Sequence, residues 1–164
     1  MKVELVNWLF TVKALFGCVL VVTIAALAVI DCREMILPDR LTLLLAGTGV
    51  CHAVMIGKPD IVEGVLGALF AFALLWAIAA LFRRYRGADG LGFGDLKFSA
   101  AAGLWIGWQQ VTLMLLIASS SALIFVAARS WRQRKLETTL RLPFGPFLGL
   151  GTSVCWLVAV APGP

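Results

Sequence analysis

Six predominantly apolar segments, separated by short polar ones, run through the sequence at residues 8–30, 41–56, 61–82, 96–108, 111–128 and 142–161. A helix needs about 20 apolar residues to cross a bilayer, and a shorter segment is tolerated where neighbouring helices bury its ends. The second and fourth segments are short, so we expect them to line an interior cleft. Hydrophobic residues make up 61% of the chain, which leaves little sequence for a separate soluble domain. We therefore predict an all-α integral membrane protein with six transmembrane helices in a single domain, residues 1–164.

The distribution of lysine and arginine predicts the orientation of these helices, because cytoplasmic loops carry an excess of both. With the N-terminus outside, only Lys2, Lys13 and Lys58 lie on the outer side. The inner side then holds Arg33, Arg40, Arg83, Arg84, Arg86, Lys97, Arg129, Arg132, Arg134, Lys135 and Arg141. Both termini are therefore expected on the outer, periplasmic side. This topology and contact with the anionic lipid bilayer account for the net charge of +5, so we predict no nucleic-acid partner.

Histidine and cysteine are too sparse and too scattered to predict a metal site. The four cysteines include no CxxC pair, which also argues against a disulfide framework. The single histidine, His52, lies midway along the second segment, where we expect a polar contact between helices. The run "SAAAG", residues 99–103, suits close helix packing better than it suits a nucleophile. The sequence thus predicts no metal and no other cofactor.

Three aspartates stand where apolar segments meet polar ones. Asp31 follows "TIAALAVI" at the inner end of the first segment, Asp39 lies at the mouth of the second, and Asp95 closes "GFGD" at the mouth of the fourth. Two crossings separate Asp31 from Asp95, so both return to the cytoplasmic side, where the first and fourth helices can bring them together. Two close carboxylates share one proton near neutral pH, which suits activation of water against a peptide carbonyl. The sequence does not decide which aspartate holds the proton.

Two glycines precede Asp95 in the stretch "GLGFGDLK", residues 90–97. Gly92 and Gly94 lack a Cβ atom, so we expect backbone with positive φ and a close approach of an extended substrate. A proton relay in a small transporter or channel subunit is an alternative role for the acids. A relay would place acids at several depths, however, whereas Asp31, Asp39 and Asp95 share one.

Three blocks, in this order, resemble a known family. They are "IDCREMILPDRLTLLL" at residues 30–45, "GFGDLKFSAAAGLWIG" at residues 92–107 and "LPFGPFLGLG" at residues 142–151. The blocks are similar to those of the type IV prepilin peptidases and preflagellin peptidases, which are membrane aspartic proteases of the GxGD type. The resemblance implies that Asp31 and Asp95 are the catalytic pair. Other motif residues that would shape the site are Gly92, Gly94, Lys97, Pro38, Asp39, Pro143, Gly145 and Pro146.

The resemblance also implies a substrate and a location. Family members remove the short basic leader of type IV prepilins or pseudopilins after a glycine, at the cytoplasmic face of the bacterial inner membrane. Two of these motif features have simpler interpretations. Lys97 could serve only as a positively charged anchor at the inner face, and the Pro-Phe-Gly-Pro run could serve only to start the last helix. Bifunctional relatives carry CxxC motifs and N-methylate the new terminus; without such motifs here, we expect a peptidase-only form. An inactive family member is the remaining alternative.

Overall fold

Six α-helices form the computed structural model, which describes residues 2–87, 90–133 and 142–160. They are α1 (Lys2–Glu34), α2 (Asp39–Ile56), α3 (Ile61–Arg86), α4 (Phe93–Ile106), α5 (Trp108–Gln133) and α6 (Gly145–Val160). No strand occurs in these described ranges, so the all-α prediction is confirmed. The predicted inner-face residues Arg134, Lys135 and Arg141 lie outside the described residues, as does Ala161 at the end of the sixth predicted segment.

Four helices contain a stretch long and apolar enough to cross a bilayer: Phe10–Glu34, Asp39–Ile56, Ile61–Arg86 and Trp108–Arg132. The protein is therefore a multi-pass membrane protein. α6 is a shorter apolar helix. α4 has 14 residues and extends over about 21 Å at 1.5 Å per residue, whereas a bilayer core is about 30 Å thick. Six complete crossings and outward-facing termini stay predictions.

α4 is the central helix of the bundle and packs against α2, α3, α5 and α6. Nine of its 14 residues are buried, and the side chains of Phe98 and Trp105 have no exposed surface. A helix enclosed by neighbours needs no full-length surface facing lipid. This explains why so short a segment is stable here, and it confirms that the fourth segment lies in the interior.

Small residues let α3 and α4 approach until their backbones are in contact. A Cβ atom added to Gly67 would lie 2.5 Å from the carbonyl oxygen of Gly103. That is well inside van der Waals distance, so neither helix has room for a larger residue at this crossing. The predicted packing role of the "SAAAG" run, which ends at Gly103, is confirmed.

Most predicted helix boundaries differ from the structure by a few residues, and only the end of α2 at Ile56 and the start of α3 at Ile61 coincide. The fourth segment was expected to end at Trp108, but α4 ends at Ile106 and α5 begins at Trp108. The break falls at Gly107, whose φ of 73° is readily adopted only by glycine. α1 continues beyond the predicted end at Ile30, so Asp31 lies within the helix rather than after it. α6 begins three residues later than predicted, at Gly145.

His52 lies in an aromatic cluster, and the prediction of a polar contact between helices was wrong. Its ring stacks on Trp105 with the ring centroids 5.0 Å apart, and Phe16 approaches edge-on at 5.3 Å. Neither ring nitrogen has a hydrogen-bond partner among the described residues. The Trp105 indole N–H donates instead to the Leu45 carbonyl on α2, over 2.8 Å. The histidine is therefore held by ring packing, which helical position alone does not predict.

Candidate active site

Asp31 lies in the last turn of α1, and its side chain is buried at 5% exposure. The Gly145 backbone N–H donates a hydrogen bond to Asp31 Oδ2 over 2.8 Å. Gly145 is the first residue of α6, where backbone N–H groups have no partner within the helix and the helix dipole attracts negative charge. The start of α6 therefore orients the Asp31 carboxylate.

Asp95 lies in the first turn of α4 and is 9% exposed. α4 is not among the helices long enough to cross a membrane, and Asp95 precedes its predicted apolar segment. The pKa of Asp95 is raised to about 7, mainly by burial and also by the negative charge of Asp31, while a hydrogen bond from the Gly92 backbone acts to lower it. Asp95 is therefore able to hold a proton near neutral pH.

Both carboxylates line one cavity of about 300 Å³. The two helices that carry them are bridged by α2 and α6, each of which packs against both α1 and α4. The cavity is lined by Asp31, Met35, Ile36, Leu37, Asp39, Gly92, Phe93, Gly94, Asp95 and Lys97. The aspartates that the sequence places at one depth are thus brought together, although their catalytic role stays a prediction.

Gly92 and Gly94 make close contacts but do not adopt the predicted positive φ. Gly92, the N-cap of α4, has a φ of −73°, and in the described ranges the only glycines with positive φ are Gly57, Gly87 and Gly107. A Cβ atom on Gly94 would lie 3.0 Å from the Leu37 Cβ, and one on Gly92 would lie 3.4 Å from Asp95 Oδ2. The positive-φ part of the glycine prediction was wrong. At Gly94 the close packing against Leu37 favours a small residue, whereas the space beside Gly92 would accept a Cβ atom at ordinary van der Waals distance.

Asp39 and Lys97 form an ion pair at the rim of the cavity. The Lys97 ammonium donates to Asp39 Oδ1 over 2.6 Å, and it also lies 5.1 Å from the centre of the Phe93 ring. The Asp39 side chain is 66% exposed, in contrast to the buried Asp31 and Asp95. Lys97 therefore has a partner beside the carboxylate pair as well as a position that suits an inner-face anchor. Pro38 precedes Asp39 as the N-cap residue of α2.

The Pro-Phe-Gly-Pro run starts α6 and also contains the residue that donates a hydrogen bond to Asp31. The N–H groups of Phe147 and Leu148 both donate to the Phe144 carbonyl. Pro146 has no N–H, and proline is well suited to the first turn of a helix; Pro143 precedes the helix. Gly145 is therefore the residue at this start whose N–H donates to Asp31.

Sequence reasoning missed three cavity-lining residues between α1 and α2: Met35, Ile36 and Leu37. Met35 has a φ of 53°, which is uncommon for a residue other than glycine, and its N–H donates to the Asp31 carbonyl. The hydrogen bond from Gly145 to Asp31 was also missed. In the sequence, the only indication of this hydrogen bond was the pair of prolines, Pro143 and Pro146, that flank Phe144 and Gly145.

The sequence is similar to those of known proteins. Residues 18–127 match the sequence model of the type IV leader peptidase family. A protein from Burkholderia pseudomallei (strain 1026b), named "Prepilin leader peptidase/N-methyltransferase", is 38% identical over 138 residues, which is 84% of this chain and 44% of the relative. A protein of the same name from Escherichia coli (strain K12) is 37% identical over 131 residues, covering 80% of this chain and 57% of the relative. The chain thus spans about half the length of the curated relatives it matches. No solved structure matches it significantly.

Proposed function

The chain belongs to the type IV leader peptidase family, and on this premise we propose that it is a membrane aspartic endopeptidase. Its substrates are type IV prepilins or pseudopilins, from which it removes the short basic leader after a glycine. The observation that carries this proposal is the cavity shared by two buried carboxylates, Asp31 and Asp95. The names of the two relatives support the substrate class.

In the proposed mechanism, one aspartate is ionised and the other is protonated. The ionised carboxylate takes a proton from a water molecule, whose oxygen forms a bond to the scissile carbonyl carbon, while the protonated carboxyl donates its proton to the carbonyl oxygen. The tetrahedral intermediate then collapses: the carboxyl that took a proton from water gives it to the amide nitrogen, and the C–N bond breaks. A hydroxyl proton of the intermediate returns to the other carboxylate, which leaves a new carboxyl terminus and a new amino terminus. The raised pKa of Asp95 suits it to the role of proton donor.

We place this reaction at the cytoplasmic face of the bacterial inner membrane. Several helix termini carry basic residues: Arg33 lies in the last turn of α1, Arg40 in the first turn of α2, and Arg83, Arg84 and Arg86 in the last turn of α3. Lys97, one turn into α4, adds a further positive charge. A concentration of positive charge at one end of a helical bundle is typical of the cytoplasmic side.

Cleavage of a purified prepilin in detergent tests the proposal. We expect mass spectrometry to show a new N-terminus directly after the leader glycine, formed only when the purified chain is present. Addition of a methyl donor to the same reaction measures whether that terminus is also methylated. If a folded sample cleaves none of several prepilins, the peptidase assignment is wrong, and an inactive family member or a proton relay becomes the better explanation.

The pH dependence of cleavage is expected to report the raised pKa of Asp95. The proton on Asp95 is present below about pH 7 and is lost as the pH rises through that value. Because the donor must be protonated, kcat/KM should fall roughly tenfold per pH unit on the alkaline side. Measuring kcat/KM from about pH 5 to about pH 9 checks this profile. An unchanged rate across the alkaline half would contradict the assignment of Asp95 as proton donor.

A further inference from the structure

A second cavity, of about 400 Å³, adjoins the carboxylate cavity between α2, α3 and α4. It is lined by Asp39, Thr42, Leu43, Ala46, Ala68, Phe72, Lys97, Ala100, Ala101 and Leu104. Asp39 and Lys97 also line the cavity that holds Asp31 and Asp95. The two cavities therefore meet at the Asp39–Lys97 ion pair. We refer to the second cavity as the α2–α4 cleft.

The α2–α4 cleft runs from this ion pair into the apolar part of the bundle. Along α4 its wall extends from Lys97 to Leu104, which corresponds to about 10 Å at 1.5 Å per residue. Apart from the ion pair and Thr42, all of its lining side chains are apolar. Polar ligands would lose hydration in such a space without gaining hydrogen bonds, so the chemistry of the walls selects apolar groups.

The space exists because each of the three surrounding helices carries alanine, a small side chain, where it lines the cleft. Ala46 on α2, Ala68 on α3 and Ala100 on α4 line it and are each half-buried. A cavity of about 400 Å³ has room for a few apolar side chains from one face of a helix or of an extended strand.

We propose that the α2–α4 cleft binds the apolar side chains of the substrate directly on the C-terminal side of the cleaved bond. This inference rests on the proposed function, and it assigns to Ala46, Ala68 and Ala100 a role in substrate specificity. A peptide bond at Asp31 and Asp95 lies next to the mouth of the cleft at Lys97. A basic leader would lose hydration between the apolar walls of the cleft, so the part of the substrate on the other side of the cleaved bond is the one that suits them.

A size exchange between cleft and substrate tests this proposal. The substrates are two detergent-solubilised prepilins that differ only in the first residue after the cleaved bond, which is phenylalanine in one and alanine in the other. Ala68→Phe fills the cleft from α3. We expect it to lower kcat/KM at least tenfold for the phenylalanine substrate, mainly through KM, and less than threefold for the alanine substrate, in the range that hydrophobic pockets discriminate by size.

Ala73→Phe is the matched control, because Ala73 is an exposed residue of the same helix and is absent from the lining of the cleft. It should leave both substrates unaffected. Ala46→Leu provides the same test from α2 if the Ala68 variant does not fold.

The outcomes separate this inference from the proposed function. If the wild-type chain cleaves neither prepilin, both the proposed function and this inference are wrong. If the wild type cleaves both, but the cleft variants lower both rates equally or neither, only the inference is overturned. An equal loss on both substrates would indicate that lipid or helix packing, rather than the substrate, fills the cleft.

Discussion

Replacement of either Asp31 or Asp95 by asparagine is expected to reduce cleavage by about 10³-fold or more while the protein stays folded. The amide has nearly the same shape as the carboxyl, and its oxygen still accepts a hydrogen bond, so Gly145 keeps a partner in the Asp31 variant. An amide neither takes a proton from water nor donates one to a carbonyl oxygen in the way the mechanism requires. Single-turnover cleavage of a prepilin by each purified variant, with helix content measured by circular dichroism, checks this result.

The matched control for Asp31→Asn is Glu34→Gln on the same helix. Glu34 is exposed and does not line the carboxylate cavity, so its loss of charge should leave cleavage unchanged. Asp39→Asn is expected to retain part of the activity, because Asp39 is exposed and paired with Lys97. Complete loss in Asp39→Asn would make Asp39 a candidate for the pair, and full activity in Asp31→Asn or Asp95→Asn would overturn the dyad.

The positions of the helices and of the acids were largely predictable from the sequence, because both follow from the bilayer. Long apolar segments in lipid must satisfy their backbone hydrogen bonds internally and are therefore helical. An even number of crossings between Asp31 and Asp95 then puts them at the same depth, and the structure places both in one cavity. This inference needs only the order of the segments and no knowledge of their packing.

Contacts between distant residues were not predictable in the same way. The bond from Gly145 to Asp31 joins residues 114 positions apart, and no local periodicity encodes it. The ring stack of His52 on Trp105 joins α2 to α4, where sequence position alone suggested a polar contact. Gly94 was assigned to positive φ from its local chemistry, but its close contact with Leu37 explains why a small residue stands there. In each case tertiary packing, rather than local preference, decides the role of the residue.

The start of α6 links a backbone feature to the chemistry of the carboxylate pair. A Cβ atom added to Gly145 would lie 2.7 Å from Asp31 Oδ2 and 3.2 Å from the carboxyl carbon. The first distance is shorter than van der Waals contact, and Asp31 is buried at the end of a helix, so the side chain has little room to withdraw. Any residue larger than glycine must therefore displace either the carboxylate or the first turn of α6.

We accordingly expect Gly145→Ala to lower kcat by roughly 10²-fold, the size of effect that a displacement of about 1 Å has on a positioned catalytic group. KM should change little, because Gly145 does not line the α2–α4 cleft. The matched control is Gly47→Ala in α2, where an added Cβ atom has no neighbour within 4 Å; alanine is also the better helix former, so this variant should be as active and at least as stable as the wild type. Cleavage kinetics and thermal unfolding of both variants separate the two effects. Normal kcat in a folded Gly145→Ala protein would show that the close approach of residue 145 to Asp31 is not needed to position the carboxylate.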